Sequence, residues 1–302
     1  MRHLLSLKDL TKSDFFSILE RGKKHRADRR LNPRGLDGRK IALLFEKSST
    51  RTRISFTVAI MELGGEVFAL ETQNLQMHRG ESVEDTTEVM ARYIDAIMIR
   101  ARSHDTLATM ASLNRLPIIN GLSDRFHPCQ ALADYMTVEQ YGLSITGGLR
   151  LAFIGEPNNV FNSLALGAIF TGAELRIASP SGFHVSDDVA ELLKKNNIQY
   201  SIFEKPEDAV EGAQVIYTDV WVSMGQENEE EIRKRIFAPY CITEKLLEHA
   251  AKDHIVMHCL PAHRGEEITD GVMRKYGRFI FDQAENRLHV QKAVLEWIFG
   301  LL

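Results

Sequence analysis

Residues 41–56 read IALLFEKSSTRTRISF. An apolar run of strand length, Ile41–Phe45, meets a polar corner, and a stretch with helical spacing follows. Ile54, Val58 and Met61 fall at i, i+4 and i+7, on one helical face. The unit recurs. Runs at Glu66–Leu70, Ala96–Ile99 and Leu116–Ile119 read as buried strands, and a second series follows at Leu149–Ile154, Glu174–Ala178, Tyr200–Phe203, Val215–Thr218 and Ile255–Cys259. Phe279–Asp282 reads as one more short strand. Leu132, Tyr135 and Met136 share a helical face after His127–Pro128. Continuous apolar strands alternating with helices predict an α/β fold of parallel β-sheets covered by helices. The stretch YGLSITGG, Tyr141–Gly148, has linker chemistry. It predicts two domains, 1–145 and 146–302, each a parallel sheet flanked by helices. A C-terminal helix over about 284–302 is expected, and nothing local says which domain it packs on.

Composition narrows the function. The 302 residues suit two domains at about 150 residues each. Lys plus Arg is 37 and Asp plus Glu is 41, a formal net charge of −4. That lacks the basic surplus of a nucleic-acid binder. The N-terminus, MRHLLSLKDLTKSDFF, is broken by charge at once, unlike a signal peptide. No apolar run approaches the roughly 18 residues of a membrane helix. Cys129, Cys241 and Cys259 are odd in number and widely spaced, which argues against a disulfide framework and for a reducing cytoplasm. Neither nucleic acid nor membrane is an expected partner.

In such folds ligands sit at the carboxyl ends of strands, where helices begin. At the first corner Ser48, Ser49 and Thr50 precede a helix starting near Arg51. Free backbone N–H groups, the positive dipole end, hydroxyls and the Arg51 and Arg53 guanidiniums suit a phosphate. An ordinary Ser cap is the alternative, but two cations in a first turn oppose the dipole and call for an anion. At the second corner, NGLSDRFHPCQALADYMT, His127 and Gln130 bracket a helix start with Pro128 in its first turn. At the third, LAFIGEPNNVFNSL, Gly155 stands without the other dinucleotide-loop glycines, so a nucleotide is not expected. Asn158 and Asn159 there either cap the helix or bind the polar end of a small ligand. At the fourth, YTDVWVSMGQE, Asp219 ends an apolar strand, as an ammonium partner or a cap. At the fifth, VMHCLPAHRGEEIT, His258, Cys259 and His263 suggest a metal. Adjacent strand residues point to opposite faces and no second pair completes a tetrahedral set, so none is expected. Arg100 is a further cation at a strand end, and Arg287 reads locally as solvent-facing. Together the corners predict an anion site in the first half and an amine or amino-acid site in the second, with a cleft between the domains holding a two-substrate reaction.

The order S-T-R-T-R, H-P-C-Q, N-N, D-V-W-x-S-M-G and H-C-L-P resembles the aspartate/ornithine carbamoyltransferases over essentially the whole chain, and most closely their ornithine-specific branch. The resemblance implies that carbamoyl phosphate binds to Ser49, Thr50, Arg51, Thr52, Gln76, Arg100, His127, Pro128, Cys129 and Gln130, with Cys259, Leu260 and Arg287 completing the set. It implies Asn159, Asp219, Ser223 and Met224 for L-ornithine, and Arg100, His127, Asp219 and Cys259 as the catalytic groups. No cofactor and no metal are implied. Family members are homotrimers, and the loop Gln76–Arg79 is the part expected to approach a neighbouring subunit. One corner departs from the pattern: ornithine enzymes usually read Gly-Asp before the paired Asn, and this chain reads Gly155-Glu156-Pro157. Pro157 removes a backbone donor and stiffens the turn. Two other functions fit less of the sequence. One is carbamoyl transfer to putrescine or another amine, for which Asn159 and Asp219 have less to bind. The other is a non-catalytic binding protein for a phosphorylated metabolite, which leaves one ligand set unexplained.

Overall fold

The computed structural model describes residues 1–71, 80–222 and 227–302. The chain divides into two compact units, residues 1–133 with 286–302 and residues 134–285.

The first unit is built on a four-stranded sheet. Strands β1 (Lys40–Phe45), β2 (Glu66–Glu71), β3 (Ala96–Arg100) and β4 (Ile118–Leu122) lie in the order β2-β1-β3-β4, every pair parallel. Helices α1 (Lys12–Ala27), α2 (Thr50–Glu62), α3 (Val83–Met90) and α4 (His104–Ser112) accompany it, and α5 (Pro128–Gln140) begins here. The central strands β1 and β3 are buried on both faces, so Ile41–Phe45 and Ala96–Ile99 are apolar without interruption. The edge strand β2 is a correction to its buried reading: Glu66, Phe68, Ala69 and Leu70 are exposed. The α2 stripe also faces outward. Ile54 is 57% and Met61 62% exposed, while Phe56, Ala59 and Ile60 enter the core. β4 starts later than the expected Leu116, because pairing with β3 begins at Ile97↔Ile118 and Pro117 has no N–H to donate.

The second unit carries β5 (Arg150–Ile154), β6 (Glu174–Ala178), β7 (Tyr200–Phe203), β8 (Val215–Thr218) and β9 (Ile255–His258) in the order β7-β6-β5-β8-β9, again all parallel. Its helices are α6 (Asn159–Thr171), α7 (Asp187–Lys195), α8 (Pro206–Val210), α9 (Glu230–Phe237) and the first part of α10 (Asp270–Ile298). α6 packs close against Tyr135, whose hydroxyl donates to the Leu164 carbonyl at 2.7 Å. A Cβ on Gly167 would lie 2.1 Å from the Tyr135 ring, so that approach requires glycine. Phe279–Asp282 is helical, inside α10, not a strand. Ile280 is fully buried and Phe281 is 56% exposed, the one-sided burial of a helix face that a short apolar run does not reveal. The helix starts at Asp270, well before Ala284. No helix among the described residues is long and apolar enough to cross a membrane.

Candidate active site

Each sheet has one place where its growth reverses: between β1 and β3 in the first unit, and between β5 and β8 in the second. Ligands of open parallel sheets bind outside the strand ends at such switch points. The corner after β1 carries Ser49–Thr52, and β3 ends on Arg100. The corner after β5 carries Asn158 and Asn159, and Asp219 directly follows β8. The first, third and fourth of the expected corners therefore occupy the switch points, while the second and fifth follow the edge strands β4 and β9.

In the first unit Ser49 caps α2, its hydroxyl accepting from the Thr52 N–H at 3.3 Å, and the first turn holds no acidic residue. Arg51 is exposed there. Arg53 is not available in the same way: it pairs with Glu71 and lies 4.4 Å over the Phe45 ring. The anion demanded by that second arginine is thus supplied by β2. Thr52 is fully buried, and its hydroxyl accepts from the Arg287 guanidinium at 2.7 Å. Arg287 is 4% exposed, which corrects its local reading as solvent-facing. Its partner stands 235 residues away in sequence, so no local pattern marks it.

His127 precedes α5, where Pro128 takes the first helical position and the side chains of Cys129 and Gln130 are buried in the first turn. The approach is fixed by Asn120, whose amide donates to the Leu5 carbonyl at 2.8 Å and the Phe126 carbonyl at 3.2 Å. Burial holds the His127 imidazolium well below its ordinary pKa, and the positive charges of Arg287 and Arg100 push the same way. His127 is therefore a neutral imidazole at pH 7, surrounded by cations. Burial also pushes the Cys129 thiol up to about 12 against the pull of Arg287, so it stays protonated. Gln76 lies outside the described residues.

In the second unit the Asp219 carboxylate is held from three sides. Oδ2 accepts from the Asn158 amide at 2.7 Å, and Oδ1 accepts from the Val220 N–H at 2.8 Å and from the Cys259 thiol at 2.9 Å. Asn158 also caps α6, its oxygen accepting from the N–H groups of Val160 and Phe161 at 2.9 and 3.3 Å. The cap reading is realised at Asn158, and the same side chain also ties the corner to Asp219. Asn159 is half-buried at the first position of α6. Ser223 and Met224 lie outside the described residues.

Cys259 lies past the end of β9, so strand alternation does not govern it. That corrects the expectation that His258 and Cys259 point apart. Ligand-type atoms of Asp219, His258 and Cys259 lie within 4.8 Å of one another, as do those of His263, Glu266 and Glu267. The His258 ring is already committed. Nδ1 accepts from the Leu260 N–H at 2.8 Å, so Nε2 carries the proton and donates to buried Glu267 at 3.1 Å. These bonds hold Leu260 at φ 59°, a conformation that leucine rarely adopts. Gln283 accepts from the His258 N–H at 2.9 Å and donates to Asp134 at 2.7 Å, and Tyr217 donates to the same carboxylate at 3.1 Å. Sequence reasoning misses all three supports: Gln283 and Asp134 act on residues far away in sequence, whereas Glu267 lies in the same corner as His258, nine residues on, and is not singled out.

Two family models match the chain. The aspartate/ornithine carbamoyltransferase carbamoyl-P binding domain matches residues 2–140, and the Asp/Orn binding domain of the same family matches residues 147–298. The chain belongs to the aspartate/ornithine carbamoyltransferase family. Among carbamoyltransferase relatives, "Ornithine carbamoyltransferase, anabolic" of Pyrococcus furiosus is 44% identical over 305 residues, covering 99% of this chain and 96% of the relative. The ornithine carbamoyltransferase of Archaeoglobus fulgidus is 43% identical over 302 residues, covering 99% and 98%. The solved P. furiosus carbamoyltransferase superposes with a TM-score of 0.92 at 44% identity, over 100% of this chain and 98% of that one. The anabolic ornithine carbamoyltransferase of Campylobacter jejuni gives 0.94 at 36% identity, over all of both chains.

Proposed function

We propose that this carbamoyltransferase transfers the carbamoyl group of carbamoyl phosphate to the δ-amine of L-ornithine, giving L-citrulline and phosphate. The observation that carries the reading is that one unit holds a cationic corner around neutral His127 and the other holds a carboxylate corner at Asp219, each within the span of the corresponding family model. Residues 1–145 are read as the donor half and 146–302 as the acceptor half, with the end of α10 belonging to the donor half. The relatives described as anabolic favour the synthetic direction.

In the donor half, the α2 N-terminus with Ser49, Thr50 and Arg51 binds the phosphate oxygens, joined by Gln76. Arg100, Thr52 and His127 donate to the carbamoyl oxygen, with Arg287 orienting Thr52 and Gln130, Pro128, Cys129, Cys259 and Leu260 lining the carbamoyl end. A neutral His127 has one N–H to offer a developing oxyanion and needs no proton exchange to offer it. In the acceptor half Asp219, Asn159, Ser223 and Met224 take the amino acid, and Asp219 with Cys259 orients the attacking amine. An alkyl amine has a pKa near 10.4, so at pH 7 it must first lose a proton. The amine nitrogen then bonds to the carbamoyl carbon, the carbon–oxygen bond to phosphate breaks, and the second proton passes from the nitrogen to the leaving phosphate. The residues present supply hydrogen bonds and charge for each step.

The cytoplasm is the compartment that suits three free cysteines. Self-association, as the homotrimer the resemblance implies, is supported by the outward apolar side chains of α2 and of the edge strand β2, among them Ile54, Met61, Phe68 and Leu70. Light scattering of the wild type and of Phe68→Asp tests it; a monomeric wild type overturns it. The function itself is tested by citrulline formation from carbamoyl phosphate with ornithine, putrescine, N-acetylornithine and aspartate run in parallel. Turnover with ornithine alone is expected; preference for another amine overturns the acceptor, and no turnover with any overturns the enzyme.

A further inference from the structure

The residue that departs from the family pattern, Glu156, has a partner of its own. Arg233 on α9 is 4% exposed, and its guanidinium pairs with the Glu156 carboxylate. Its Nε donates to the Trp221 carbonyl at 2.7 Å, and a third nitrogen lies 3.7 Å from Glu229. The rings of Phe183 and Phe237 stand 5.3 and 5.4 Å from its central carbon. A guanidinium this enclosed is confined by its aromatic neighbours and by its planar donors. Burying it is costly, so the pair is weak evidence of added stability.

The places it grips are informative. Glu156 stands two residues before Asn158, and Trp221 stands two residues after Asp219. Asn158 and Asp219 are joined at 2.7 Å. One buried side chain thus brackets the hydrogen bond that aims the acceptor carboxylate, gripping the chain on both sides of it. Pro157, between Glu156 and Asn158, makes that link stiff.

We infer that Arg233 and Glu156 are positioning residues for the amino-acid acceptor. They set the spacing between the Asn158–Asn159 corner and Asp219, and so set affinity for ornithine without touching it. This rests on the reading of the second unit as the ornithine half.

The test is steady-state kinetics on the wild type, Glu156→Gln, Glu156→Asp and Arg233→Lys, with carbamoyl phosphate affinity measured separately by titration calorimetry. Misplacement of a ligand group by about 1 Å costs up to roughly 100-fold, so Glu156→Gln is expected to raise the ornithine KM about 10- to 100-fold. Carbamoyl phosphate affinity is expected to stay within about twofold, since nothing in the first unit is altered. Glu156→Asp, which keeps the charge, is expected to recover part of the loss, and Arg233→Lys, with no planar fork, to behave like Glu156→Gln. Glu156 is partly exposed, so its variants carry the test if Arg233→Lys does not fold. An unchanged ornithine KM in Glu156→Gln overturns the inference. So does a parallel loss of ornithine affinity, donor affinity and melting temperature, which marks a merely structural pair. A wild type that does not turn over ornithine overturns the acceptor reading itself, and the inference with it.

Discussion

The Cys259 thiol lies 2.9 Å from Asp219 Oδ1 and donates its hydrogen bond there. The two residues follow neighbouring parallel strands, β8 and β9, so the sheet itself sets their spacing. With Asn158 on the other oxygen, the carboxylate has little freedom to rotate. Asp219→Asn keeps the shape and removes the charge that an ammonium group needs. Its kcat/KM for ornithine is expected to fall about 100-fold, equivalent to about 3 kcal/mol. Carbamoyl phosphate affinity is expected to be unchanged in titration calorimetry.

Arg51 is exposed in the first turn of α2, so its loss leaves no buried group unpaired. Arg51→Ala is expected to change folding stability by less than about 0.5 kcal/mol. A charged hydrogen bond to phosphate contributes about 1.5–3 kcal/mol, so carbamoyl phosphate affinity is expected to drop about 10- to 150-fold. Calorimetric titration and a urea melt separate the two effects. Arg53→Ala is the control: its partner is Glu71, and donor affinity is expected to hold.

His127 gives a pH signature in stability. Its folded pKa is depressed, so below about pH 6.5 the unfolded chain takes up a proton that the folded chain refuses. Stability from this group is therefore flat above pH 6.5 and falls with acid below it, by up to about 1.4 kcal/mol per pH unit. His127→Gln is expected to flatten that acid limb while lowering kcat about 100- to 1,000-fold, as loss of an oxyanion donor does. Urea midpoints at pH 5.0 and 7.5, wild type against variant, check the sign.

Glu296 titrates in the opposite sense. Burial works to raise its pKa, but hydrogen bonds from Arg21, His25 and Asn32 outweigh it and hold the group at about 2. Its contribution is present above the unfolded value near 4.5 and is lost as pH falls from there toward 2. Glu296→Gln leaves Arg21 without its carboxylate and is expected to cost about 3–5 kcal/mol at pH 7. Denaturant curves between pH 7 and pH 3 should show the gap to wild type closing as the pH drops.

The strand–corner–helix repeat and the positions of its corners were legible because they are local. An apolar run, a Ser cap and a helical spacing all lie within a dozen residues. What escaped reading depends on partners remote in sequence. Arg53 looked like half of an anion site until β2 brought Glu71 beside it. Arg287 looked solvent-facing until α10 set it against Thr52. The outward stripe Ile54–Met61 has the spacing of a core face, and periodicity alone does not tell which way a face points. Phe279–Asp282 shows the other limit: four apolar-rich residues fit a strand or a buried helix turn equally well.

Asn158 carries a consequence for how such a chain can change over generations. Its single amide spends the oxygen on capping α6 and the nitrogen on Asp219. Aspartate would keep the oxygen and lose the donor, serine would fall short of the carboxylate, and glutamine would overreach. None of these three preserves both duties, so each would lose either the cap or the bond to Asp219. At neighbours such as Asn159 and Glu156 a side chain can be exchanged without also uncapping a helix, so changes of acceptor range are cheaper there.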